Sequence, residues 1–279
     1  MKRILTSALA LLMVGALAIP SAAAEVVGSN SANVAVTVSG VSTEAPKLDG
    51  KIGKYEYSEI KYTKDDLRVM GEDTDALSKT DVKIYASYSE EKLYFAVVAE
   101  TPDFVQTSDP VSNMWQMHCL QLSCAKGDET TASTRSEYGF SRNSKTDDLL
   151  FNAWADEYKA AWAPDTTGKD FVVVTENGYT TWEIAIPAKS FGVDSFEKGE
   201  KVRLNMCLCL GTGSDNLAQF EWSTGCGSGK DATKYAVLTL GDAIEVPKAA
   251  AQTPDTISIT VAALALSAAT AFVAIKRKH

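Results

Sequence analysis

The side chains able to do chemistry in this chain are few in kind. Two histidines occur, His118 and His279, so a Ser–His–Asp relay in the central region could use only His118. No pair of carboxylates is singled out by spacing, and the sequence argues against catalysis. Glu72, Asp73 and Asp75 gather carboxylates in one turn, which is the oxygen chemistry of calcium. EF-hand spacing is missing, and a solvated acidic loop is the competing reading.

Five cysteines follow: Cys119, Cys124, Cys207, Cys209 and Cys226. The number is odd, so at least one stays unpaired within a molecule. With one nearby His and no Cys-x-x-Cys pair, zinc is not expected. Cys207 and Cys209 share a face of an apolar strand and read as small buried hydrophobes, with a disulfide among the five as the alternative. Gly225-Cys226-Gly227-Ser228-Gly229-Lys230 imitates a phosphate loop but has Thr224 and Asp231 at the defining ends. It reads as a flexible loop. Trp115, Trp154 and Trp162 stand in or beside loops, where an indole face can stack on the apolar C–H face of a ring-shaped polyol. Gln121 both donates and accepts, as hydroxyls require. Trp182 and Trp222 lie inside strand patterns and read as core.

The elements that would position these groups are strands. Asp81–Ser89 alternates apolar and polar residues, and Lys92–Glu100 completes a hairpin. Further strands are expected over Gln116–Cys124, Tyr138–Arg142, Leu149–Trp154, Phe171–Thr175, Tyr179–Ile186, Val202–Leu210, Ala218–Trp222 and Tyr235–Leu240. Asn177-Gly178 is a hairpin turn signal. Many short strands without a long helical period predict an all-β fold, an antiparallel sandwich or barrel.

The ends carry targeting signals. Lys2-Arg3, the apolar run Ile4–Ile19 and the exit Ala22-Ala23-Ala24 predict a signal peptide over residues 1–24. Thr256–Ile275 holds no charge and runs into Lys276-Arg277-Lys278-His279. That segment is long enough to cross a bilayer, with the basic tail inside, so residues 256–279 predict an anchor and an extracellular domain. Trimming both ends removes five basic and no acidic residues, which takes the formal charge from −9 to −14. Such a surface excludes nucleic acid as a partner. Residues 25–44 read as a leader or edge strand, 45–242 as the domain and 243–255 as a stalk.

Several pieces, in order, resemble carbohydrate-binding module family 9 within the DOMON-like β-sandwiches. They are Leu48-Asp49-Gly50-Lys51-Ile52, Glu56-Tyr57, the pair Asp81–Glu100, Trp115 to Leu122, Gly178 to Pro187, Lys198-Gly199-Glu200, Glu221-Trp222-Ser223 and Lys234–Gly241. The resemblance covers about residues 45–242. It implies a non-catalytic domain that holds a carbohydrate on an exposed Trp, with no cofactor. Trp115 takes the place of the family's first ring, and Gln121 that of a Glu. Gly139 stands where the family has an Arg, with Arg142 nearby as a substitute. The second ring's place falls near Gly229, and Trp154 and Trp162 are the substitutes. Some DOMON-like domains hold haem through Met plus His or Lys, and this resemblance keeps electron transfer as an alternative: Met114, Met117 and His118 lie close together, but residues so near along one strand cannot reach both faces of a flat macrocycle, so a distant Met70 or Met206 would have to complete the pair. A structural surface protein is another alternative. The tail, with Gln252-Thr253-Pro254-Asp255-Thr256, resembles a Gram-positive sorting signal.

Overall fold

A computed structural model describes residues 31–63, 66–70, 79–213, 218–227 and 229–247. The predicted signal peptide, the anchor, most of the stalk and the Glu72, Asp73, Asp75 turn lie outside them. No helix among the described residues is long and apolar enough to cross a membrane.

The described residues form thirteen strands: β1 (Ala35–Gly40), β2 (Ser58–Ile60), β3 (Leu67–Met70), β4 (Val82–Tyr88), β5 (Lys92–Glu100), β6 (His118–Lys126), β7 (Ser136–Arg142), β8 (Leu149–Asp156), β9 (Phe171–Glu176), β10 (Tyr179–Pro187), β11 (Lys201–Leu210), β12 (Gln219–Trp222) and β13 (Ala236–Ala243). Their hydrogen-bonded order is β8-β7-β6-β11-β13-β1-β4-β5-β10-β9, with β12 and β3 added beside β11 and β2 beside β4. The path folds on itself as a sandwich. Phe140 of β7 meets Phe171 of β9 across the interior at 5.3 Å between ring centres.

Period-two patterning builds this core. On β6, Leu120, Leu122 and Cys124 enter the main core, and so do Trp182, Ile184 and Ile186 on β10. The opposite faces also carry buried groups. Segment 41–57 covers Tyr94, Ala96 and Ala185 with Tyr57, Leu48 and Ile52. The other half of the sandwich buries Cys119, Cys207 and Cys209 beneath Met114, Cys226, Ala232 and Tyr235. At the β9–β10 turn, Asn177 and Gly178 both take positive φ, 53° and 81°, as a two-residue type I′ hairpin needs.

Three expectations need correction. The strand in 25–44 is not at an edge: β1 lies between β13 and β4, parallel to both, so the sandwich is not wholly antiparallel. Val38 is fully buried there, because the two halves of the sheet meet through this strand. The short strands β2 and β3 were not expected; their partners, β4 and β12, are distant in sequence. The Gly225–Gly227 part of the predicted flexible loop is not free, since Glu221 Oε1 accepts the N–H groups of Cys226 at 2.6 Å and Gly227 at 2.9 Å.

Candidate functional site

One rung of side chains crosses six strands. Asn152 (β8), Gly139 (β7), Gln121 (β6), Cys207 (β11), Glu221 (β12) and Arg68 (β3) are successive cross-strand partners. Direct partners put their side chains on the same face. The rung therefore lies on the outer side of the half-sheet whose inner side feeds the main core. The 3-10 turn Val111–Gln116 and the 223–235 segment overlie this face.

Glu221 is the rung's buried charge. Its Oε2 faces Arg68 Nη1 at 3.3 Å, and its Oε1 takes Asn205 Nδ2 at 3.3 Å besides the two backbone donors. Burial raises the Glu221 carboxyl above the ordinary range, while the Gly227 and Cys226 N–H groups and Arg68 oppose it. One rung along, Glu137 is buried between Arg135, 3.0 Å away, and Lys230. These acidic groups are engaged within the protein and serve the closure of the face. Sequence reasoning missed them; the signal was the odd spacing that sets Glu221 and Glu137 opposite their core-facing neighbours Phe220, Trp222 and Tyr138.

Gln121 is 4% exposed. Its Nε2 lies 3.5 Å from Cys209 Sγ, and its Oε1 is buried without a hydrogen-bond partner. Trp115 is half-buried in the 3-10 turn and packs on the same outer cluster, rather than standing exposed. Trp154 joins that cluster from β8 and donates Nε1–H to the Ser112 carbonyl at 3.0 Å. Its ring lies over Gly139: a Cβ there would come within 2.6 Å of Trp154 Cζ3 and 2.8 Å of Met114 Sδ. The structure thus brings Trp115, Gln121 and Trp154 to one face.

Arg142 and Trp162 lie on the other. Arg142 shares the face of Tyr138 and Phe140 by period two, pairs with Asp147 and sits 5.5 Å over the Phe104 ring. Trp162 packs edge-on against Tyr138 at 5.0 Å, and also meets Phe140 and Phe151. Both are corrections to a site that grouped them with Gln121. The haem candidates divide between the two faces, Met114 on the outer one and His118 and Met206 on the core side. His118 packs against the Phe104 ring at 5.3 Å, tilted by 47°, with Nδ1 3.2 Å from the Val105 carbonyl, and burial lowers its pKa. Met114 is in the outer cluster and Met206 in the main core. Among the described residues, no group of three or more His, Cys, Asp or Glu is arranged to hold a metal ion.

No protein-family model matches the chain, and no curated protein does. Solved structures do match. The chain is similar to a family 9 carbohydrate-binding module from Caldicellulosiruptor kristjanssonii in complex with cellotriose. Identity is 12% and the TM-score 0.51, over 77% of this chain and all of that one. A family 9 module from the same organism in complex with glucose has 12% identity and a TM-score of 0.49, over the same shares. Likeness at this identity concerns the fold, and the fold this chain shares is that of a family 9 carbohydrate-binding module.

Proposed function

We propose that the chain is a non-catalytic carbohydrate-binding domain held on the outer face of a Gram-positive-type cell envelope, with the sugar stacked on Trp115. The observation that carries this reading is Gln121. A buried carboxamide oxygen without a partner costs about 1–3 kcal/mol and calls for a donor such as a hydroxyl. It lies on the same face as two indoles, in a fold similar to a module solved with cellotriose. One stacked ring supplies about 1 kcal/mol beyond its area, so affinity should fall between micromolar and millimolar.

Calorimetric titration of the full-length chain in detergent micelles with glucose through cellotriose, followed by a glycan array, tests the reading. Trp115→Ala should remove the binding that the unaltered chain shows. Failure of the unaltered chain to retain any glycan would instead favour a structural surface domain. That second reading is supported by one observation, the Trp154 ring lying over Gly139. Display follows from the two terminal signals: protease added to intact cells should remove the domain, and protection until lysis would overturn it.

A further inference from the structure

The Trp154 ring occupies a place that the β7 backbone leaves free. Gly139 is the direct cross-strand partner of Gln121, and such partners hold their Cβ atoms about 5 Å apart. Trp154 Cζ3 lies 2.6 Å from where a Gly139 Cβ would be. The indole and Met114 Sδ, 2.8 Å from the same point, together fill the space of Gln121's missing neighbour, and the Gln121 Oε1 on that face is sealed from solvent with no partner. What retains the ring is local. It makes one hydrogen bond to the Ser112 carbonyl and packs against Met114, and its residue is half-buried at the rim.

We propose that Trp154 is an access-controlling residue rather than a fixed wall: the indole swings off Gly139, and only then does a hydroxyl donor of the ligand reach Gln121 Oε1. This rests on the reading of this face as a carbohydrate site. Gly139 is the counterpart of the device, because any larger residue would deny the ring its resting place. The ligand class is one that presents a hydroxyl beside an apolar ring face, since an acceptor and an indole are what opening uncovers. A bare carboxylate ligand has no proton to give Gln121 Oε1 and is excluded.

Two cysteines on β6 make the opening measurable without any ligand. Cys119 lies on the Gln121 face in the outer cluster, and Cys124 lies in the main core. Both are fully buried. Iodoacetamide labelling of the full-length chain, resolved by peptide mass, therefore reports gate opening at Cys119 and general unfolding at Cys124. Trp154→Ala should label Cys119 about tenfold faster, the factor expected for roughly 1.4 kcal/mol of lost closure, with Cys124 unchanged. Trp154→Phe, which keeps a ring but loses the Ser112 bond, should fall between. Gly139→Ala should match Trp154→Ala by pushing the ring away. Equal acceleration at both cysteines, or none at Cys119, overturns the gate. Cellotriose added in a second arm separates the two ideas. Altered Cys119 labelling in the unaltered chain ties the gate to sugar. A gate that passes the first arm while the full glycan array stays blank leaves the device standing and removes the carbohydrate reading.

Discussion

The Tyr57 hydroxyl donates to Glu183 Oε1 at 2.8 Å, while Glu183 Oε2 accepts the backbone N–H groups of Gly50 at 2.5 Å and Asp49 at 3.0 Å. Two neighbouring motifs, the Leu48-Asp49-Gly50 turn and Glu56-Tyr57, meet a distant one, Trp182-Glu183, at this carboxyl. Their joint task is to fasten segment 41–57 over the outer face of β5 and β10. They lie on the half of the sandwich opposite the Gln121 rung, so they specify the fold and leave the site's chemistry open.

The first prediction concerns pH. Burial pushes the Glu183 carboxyl up to about 7, with the Tyr57, Gly50 and Asp49 donors opposing it. An unfolded Glu titrates at about 4.3. Between those values the native state binds more protons than the unfolded one, so this group's contribution falls as pH rises. It is fully present below about pH 4.3 and lost as pH passes about 7. Urea midpoints of the unaltered chain minus those of Glu183→Gln should decline across that window. A flat difference would mean that the carboxyl is ionised throughout.

A second prediction follows from Glu221. Removing it takes the carboxylate away from Arg68 and Asn205 and leaves the Cys226 and Gly227 N–H groups without this acceptor, although Asn205 Nδ2 keeps the Thr224 carbonyl at 3.0 Å. Breaking a buried pair on one side typically costs 3–5 kcal/mol, about. Glu221→Ala should lose about that much in urea unfolding, and Glu221→Gln distinctly less, because its amide oxygen still accepts. Equal losses in the two would show that packing rather than hydrogen bonding holds the loop.

Much of the fold was legible in the chain because period-two patterns and the Asn177-Gly178 turn act locally. The slot for β1 was not, since its partners β13 and β4 are joined to it by no hairpin. Sidedness was legible in principle. Arg142 is an odd three residues from Gly139, so a continuous strand must send it to the opposite face. What no spacing displays is a side chain arriving from another strand, and so the Trp154 ring over Gly139 was invisible before the structure.

Sidedness yields a third prediction. Trp162→Ala opens a hole among Tyr138, Phe140 and Phe151. It should cost about 3 kcal/mol of stability, at the lower end for a large aromatic because the ring is half-buried. If the proposed carbohydrate site is right, the folded protein's sugar affinity should stay within about twofold, a change near the thermal energy. Arg142→Ala should also spare affinity, as its guanidinium lies over Phe104 and beside Asp147. Loss of binding in either variant, with the fold intact by circular dichroism, would place the ligand on the β7–β9 rim instead.

The last prediction concerns the thiols. All five cysteines are free and buried in the structure. Burial pushes the Cys119, Cys124 and Cys226 thiols well above the ordinary range. Hydrogen bonding to Cys209 and burial do the same at Cys207. The reactive species is the thiolate, so protection here is twofold, from access and from ionisation. Ellman's reagent should react slowly with the native chain and titrate five thiols in denaturant. Protein isolated from cells without reductant should have the mass of its fully reduced form. A mass lighter by two hydrogens, with three thiols left in denaturant, would reveal one disulfide. Peptide mapping would then name the pair, and Cys226, which the 223–235 segment carries onto the Cys207 face, is the first residue to check.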